Sequence, residues 1–172
     1  MARRPVNSAV RRLQKMLSVN EERDDERGGA MTPSFLIKLK LRLHRTDIVH
    51  TVEEFDHIET ALGQTLPADY KAFLMFANGA ETLAPLPHTR FYALDELLER
   101  RSDGQPPDVL EFATDDSDGF AFGLRVAKGS ASYPVVSYPL GDTERDEIEF
   151  VADGFRLFLE VLQNPASPYQ RR

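Results

Sequence analysis

Carboxylates are the side chains this sequence offers most freely for chemistry, and they gather in two short runs. The first is Asp115-Asp116-Ser117-Asp118-Gly119; the second holds Glu144, Asp146 and Glu147. Aspartates spaced two apart before a glycine invite comparison with a calcium loop of the EF-hand kind. Such a loop wants oxygen ligands at positions 1, 3 and 5, glycine at 6 and glutamate at 12. With Gly119 at position 6, the ligands would be Thr114, Asp116 and Asp118, and position 12 would be Arg125. The first and last ligands are wrong, so the run reads as a hairpin turn whose aspartates bond their own backbone. The four histidines, His44, His50, His57 and His88, form no His-x-x-x-His or His-Glu-x-x-His pair, and no metal site is expected. There is no Walker loop, no Gly-x-Gly-x-x-Gly and no Gly-x-Ser-x-Gly elbow. Cysteine is absent, which removes thiolate nucleophiles, cysteine metal ligands and disulfides. No catalytic residue and no cofactor is expected. Paired carboxylates for acid–base work stay open, because pairing in space is invisible in a sequence.

Charge gives the acids a second meaning. Residues 1–46 carry eleven Lys/Arg and five Asp/Glu, a net +6, whereas residues 47–172 carry ten and twenty-three, a net −13. An acidic body repels nucleic-acid phosphate and favours a basic partner. Acids in turns, namely Asp115, Asp116, Asp118, Glu144, Asp146 and Glu147, are then the candidate partner contacts. The plainer alternative is that they are solvated turns that keep the chain soluble. No apolar run approaches the length of a membrane span. The basic N-terminus is followed by no apolar run of signal-peptide length. With no cysteine, a reducing compartment and a cytoplasmic location are the expectation.

Elements to position these residues can be read from periodicity. Residues 1–46 form a basic N-terminal extension. Ser8 to Val19 is modestly helical, Glu21 to Gly29 is a charged linker, and Met31 is a second possible start of translation. Thr32-Pro33 opens like a helix, yet Ile37, Leu39, Leu41 and Leu43 alternate with Lys38, Lys40, Arg42 and His44, which favours an edge strand. Thr51 to Leu62 has a capping box (Thr51, Glu54), an apolar face (Val52, Phe55, Ile58, Leu62) and a glycine stop at Gly63. Only two residues on, Leu66 to Gly79 reads as a second helix. Pro67 suits its first position, Asp69 its dipole and Asn78-Gly79 its end, with Tyr70, Phe73, Leu74 and Ala77 on one stripe. Strands follow at Arg90–Ala93, Val109–Ala113, Phe120–Val126 and Pro134–Tyr138, with a helical turn at Asp95–Arg101. Glu147–Val151 is a further strand or the lead-in to the last helix. That helix is capped by Asp153, carries Phe155, Phe158, Leu159 and Leu162, and stops at Asn164-Pro165. Two helices, a run of hairpin-linked strands and a closing helix argue for an α+β domain over residues 47–165. It would hold a mostly antiparallel sheet of about 4–6 strands, and residues 166–172 would be a polar tail.

The motif Leu-Pro-x-x-Tyr-x-x-Phe-Leu-x-x-x-Asn-Gly at Leu66–Gly79 resembles the opening of the SUKH superfamily. So do the acidic turn before Gly119, Tyr133-Pro134-Val135-Val136 and the closing Val151–Leu162 segment with Phe155 and Phe158-Leu159. The resemblance covers about residues 51–163. That superfamily includes a yeast regulator of cell-wall synthesis and killer-toxin resistance and many bacterial immunity proteins. It implies a non-catalytic protein-binding domain, most concretely an immunity-type protein that neutralises a bacterial toxin, with a basic toxin as partner. A regulatory or scaffolding domain without a toxin is the second expectation. An enzyme or small-ligand binder using a groove beside the sheet is the third.

Overall fold

The computed structural model describes residues 31–44, 50–84, 86, 88–101, 106–115, 117, 119–126, 133–140 and 148–163. Expectations for Ser8–Val19, the linker at 21–29, the Asn164-Pro165 stop and the tail at 166–172 lie outside them. Among the described residues the helices are α1 (Pro33–Lys38), α2 (Val52–Leu62), α3 (Ala68–Phe76), α4 (Glu96–Glu99) and α5 (Phe155–Gln163). The strands are β1 (Leu41–Leu43), β2 (Ala80–Thr82), β3 (Thr89–Phe91), β4 (Val109–Asp115), β5 (Phe120–Arg125), β6 (Val135–Pro139) and β7 (Glu149–Ala152). All seven form one sheet in sequence order, each antiparallel to the next. The α+β class holds. The strand count exceeds the expected 4–6 by β2, which at three residues is too short to show a period.

Residues 32–44 resolve the conflict between helix opening and strand period by using both. The Thr32 hydroxyl accepts from Phe35 N (3.2 Å), and Pro33 takes the first helical position. The helix ends at Lys38, Leu39 turns to extended backbone, and only Leu41–Leu43 keeps the alternation. Leu41 and Leu43 pack against the core while Arg42 points away and pairs with Glu81 at 2.5 Å.

In α2 the capping box forms as read: Glu54 N donates to Thr51 Oγ1 (3.2 Å) and Thr51 N to Glu54 Oε2 (2.7 Å). Gly63 closes the helix at φ 69°, a left-handed conformation that other residues adopt only under strain. Phe55, Ile58 and Leu62 are buried, but Val52, at the first helical position, is 64% exposed. Glu59 ties α2 to α3, accepting from Leu66 N (2.6 Å) and pairing with Lys71 Nζ (2.6 Å). Helix α3 ends at Phe76, short of Asn78-Gly79, because Ala77 leaves helical geometry. Asn78 is instead a tether, its Oδ1 accepting from Leu94 N at 2.7 Å.

The core is largely aromatic and lies between the helices and one face of the sheet. Phe155 of α5 sits 4.8 Å from Tyr70, 5.1 Å from Phe73 and 5.2 Å from Phe112 between ring centroids. Phe158 reaches Phe112 (5.3 Å) and Phe122 (5.0 Å). Burying each such ring stabilises the fold by roughly 1.5–3 kcal/mol, and the tilted geometries add to that. The acceptor at the start of α5 is not the expected Asp153, which is exposed, but Asp69 of α3. Its Oδ2 accepts from Arg156 N (3.0 Å) and its Oδ1 from Tyr70 N (2.8 Å). Burial pushes the Asp69 carboxyl above its ordinary range, and the hydrogen bonds from Arg156 and Tyr70 pull partly the other way.

Asp69→Ala should therefore cost about 1–2 kcal/mol, the loss of a helix-start acceptor. Asp69→Asn keeps an oxygen for Arg156 N and should cost less. A raised folded-state pKa means that the titration of Asp69 adds stability below the ordinary carboxylate range and withdraws it as pH rises through the raised value. Urea unfolding across the acid range should show the wild type losing ground to Asp69→Asn as pH rises. Parallel curves would show that burial does not dominate at this carboxyl.

Candidate functional site on the second face of the sheet

A β-bulge decides which side chains face away from the aromatic core. The β4–β5 register shifts between Glu111 and Ala113, so Leu110, Phe112 and Ala113 all enter the main core. Val109 and Glu111 are left on the opposite face, beside Ala121 and Gly123 of β5 and Val136 and Tyr138 of β6. Val109, Ala121, Val136 and Tyr138 form a second, smaller apolar cluster with Ile148 packed on it. Space is tight there: a Cβ on Gly123 would lie 2.2 Å from Val109 Cγ1 and 3.0 Å from Leu110 O.

Glu111 is only 6% exposed, and each of its carboxylate oxygens holds a phenol. Tyr92 Oη donates to Oε1 (2.5 Å) and Tyr138 Oη to Oε2 (2.7 Å). Burial first, then the adjacent Glu111 carboxylate, pushes both phenols up, so they remain protonated donors. Above the Tyr92 ring stand two guanidiniums, Arg100 at 4.8 Å and Arg90 at 5.6 Å from its centroid. Arg90 is itself paired with Glu96 of α4. The network links β4, β6 and the residue after β3. With an oxygen committed to each phenol, it is built to brace three strands. General-base work would require the carboxylate to give up a donor first.

Of the acids singled out in the sequence, Asp115 alone falls among the described residues. It is not an exposed contact: it is 5% exposed at the end of β4, where the strand runs two residues beyond the expected Ala113. Pairing with Thr89 on one side and Phe120 on the other draws it into the sheet. Its Oδ1 accepts from Ser117 N (3.1 Å) and Ser117 Oγ (2.6 Å), while Gly119 N donates to its backbone oxygen (2.9 Å). That is the self-bonded turn read in place of a calcium loop, and not the solvated turn set against partner contact. Asp116, Asp118, Glu144, Asp146 and Glu147 lie outside the described residues. Among the described residues no group of three or more His, Asp or Glu could hold a metal ion.

The histidines separate by environment. His57 is exposed on α2, and His50 is buried with Nδ1 3.5 Å from Glu54 Oε2. His44 and His88 lie 4.0 and 3.6 Å from Glu81, which also holds Arg42. Sequence reasoning missed Tyr92, Glu111 and Tyr138. The available signal was Glu111 itself, a lone charge inside the apolar run Val109-Leu110-Glu111-Phe112-Ala113. A strand buried on both faces tolerates such a charge only with partners.

Tyr92→Phe and Tyr138→Phe should each cost about 1.5–3 kcal/mol in urea unfolding, the range for a hydrogen bond to a charged group. The double variant should deviate from their sum because both act on one carboxylate. Gly123→Ala should cost about 1–3 kcal/mol through overpacking. In alkaline titration, Tyr70, Tyr92 and Tyr138 should produce no tyrosinate absorbance until the chain unfolds. Their raised values mean that stability is lost as pH climbs toward them.

A family model described as SMI1 / KNR4 family (SUKH-1) matches residues 50–161, from the residue before the α2 cap into the last turns of α5. No curated protein matches the chain. The chain belongs to the SMI1 / KNR4 family.

Proposed function

We propose that this SUKH-1 family member is a non-catalytic protein-binding domain of the immunity type, which neutralises a bacterial toxin by covering it. The observation that carries the proposal is family membership over residues 50–161 combined with the net −13 charge of residues 47–172. A nuclease toxin needs a basic surface to hold phosphate, and an acidic protein can occlude that surface and be steered to it. No reacting group is required of the binder. The engagement of Glu111 by two phenols supports the same reading, since a buried carboxylate of the sheet is spent on bracing strands.

Regulation without a toxin is the second reading, favoured by the yeast cell-wall regulator in the superfamily. Gene neighbourhood separates the two: a large toxin gene beside this one favours immunity, and its absence favours regulation. No helix among the described residues is long and apolar enough to cross a membrane. The proposed site of action is the cytoplasm, where such a toxin would act on nucleic acid.

Co-expression should protect cells from the neighbouring toxin, and the purified pair should associate faster at low salt. Reversing Glu144, Asp146 and Glu147 to lysine together should lower the association rate constant about tenfold at low ionic strength, with a smaller effect on dissociation. An unchanged rate would remove the acidic-surface reading.

A further inference from the structure

We infer that the outer edge of β1 is a strand-addition site for an extended segment of another protein in which acidic and apolar residues alternate. This goes beyond the toxin-covering role and uses a different part of the molecule. Strand β1 ends the sheet on one side, so its outer edge meets no other strand among the described residues. Its pairing with β2 fixes which backbone groups face outward. Leu83 N donates to Lys40 O (2.9 Å), His44 N donates to Gly79 O (2.8 Å), and Arg42 stands opposite Glu81. The alternation of an antiparallel ladder then turns Leu41 O and both Leu43 N–H and Leu43 O away from β2. Those are the groups that a further strand would bond.

The side chains specify what that strand must look like. Period-two alternation puts Lys40, Arg42 and His44 on one side of β1, and Leu41 and Leu43 on the other, where both leucines pack on the core. Lys40 is exposed, Arg42 is 67% exposed, and the acid opposite this basic row on β2 is Glu81. An incoming strand gains cross-strand pairs by presenting carboxylates to the basic row and apolar side chains beside the leucines. A second copy of β1 is a poor occupant, because it would set basic residues against basic residues. The matching family model begins at residue 50, so β1 is supplied by residues outside it.

The test uses the full chain and a synthetic peptide of alternating glutamate and valine. Controls are a peptide of the same composition in two blocks and an alternating lysine–valine peptide. The alternating acidic peptide should bind, more tightly at low salt, and should slow exchange of the Leu43 amide about tenfold or more at saturation. Lys40→Glu, whose side chain lies outside the ladder, should weaken binding about threefold. Leu43→Pro should abolish it by removing the outward N–H. Leu43→Pro can also unseat β1, so Lys40→Glu decides if that variant misfolds. Equal binding of the block peptide, unchanged Leu43 exchange in the complex, or unchanged affinity of Lys40→Glu would each overturn the inference. None of these results bears on the toxin reading, which is measured through Glu144, Asp146 and Glu147.

Discussion

Phe155 and Phe158 form the contact on which the rest of the fold depends. They lie three residues apart, so one face of α5 delivers both rings to the sheet. Phe155 touches Tyr70 and Phe73 from the start of the domain and Phe112 from its middle, and Phe158 touches Phe112 and Phe122. The hydrogen bond from Arg156 N to Asp69 spans 87 residues and fixes where those rings land. A meander sheet can pair locally, hairpin by hairpin, and α3 covers part of one face by setting Tyr70 on Phe112 and Phe73 on Phe91, while α5 covers more of it. Bringing α5 back over that separation costs loop-closure entropy, which the aromatic contacts must offset.

The two faces of the sheet hold together by different means. Facing the helices, burial and ring packing dominate, and the buried polar groups there include the Asn78 amide and the Tyr70 hydroxyl. On the other side, a carboxylate is buried among Val109, Ala121 and Val136, an arrangement stable only with full hydrogen bonding. The bulge after Glu111 makes the division possible. Strict alternation would send Ala113 to the same face as Glu111, whereas the extra residue lets Phe112 and Ala113 both join the core. Tyr92 and Tyr138 then reach Glu111 from opposite sides, so a local irregularity in one strand sets the relative position of three.

What the sequence made legible was whatever is decided locally. The capping box of Thr51 and Glu54 and the stripe of Phe55, Ile58 and Leu62 each depend on neighbours within a few residues and appear as read, with Val52 of that stripe the exposed exception. The start of α5 was misjudged because two aspartates were available and only packing could choose. Asp153 is near in sequence, but Asp69 is held against Arg156 by the Tyr70–Phe155 contact. Asp115 looked like a turn acid because the boundary of β4 was set too early, and a strand end moved by two residues converts a surface carboxylate into a buried one. Glu111 illustrates the other limit: its partners come from positions 19 and 27 residues away, and no local pattern announces them.

Charge separation gives the architecture a direction. The body from residue 47 onward is strongly acidic, while the strand at one rim of the sheet carries Lys40, Arg42 and His44. On the proposed reading, a basic partner would be drawn to the acidic body and an acidic extended segment to β1. One would be recognised by surface charge and the other by backbone pairing along an edge, so the two proposed partners would not compete for the same groups. In that division of labour the residues before the family-matched span do not merely precede the domain. They add β1, whose Lys40, Arg42 and His44 oppose in sign the net charge of the residues that follow.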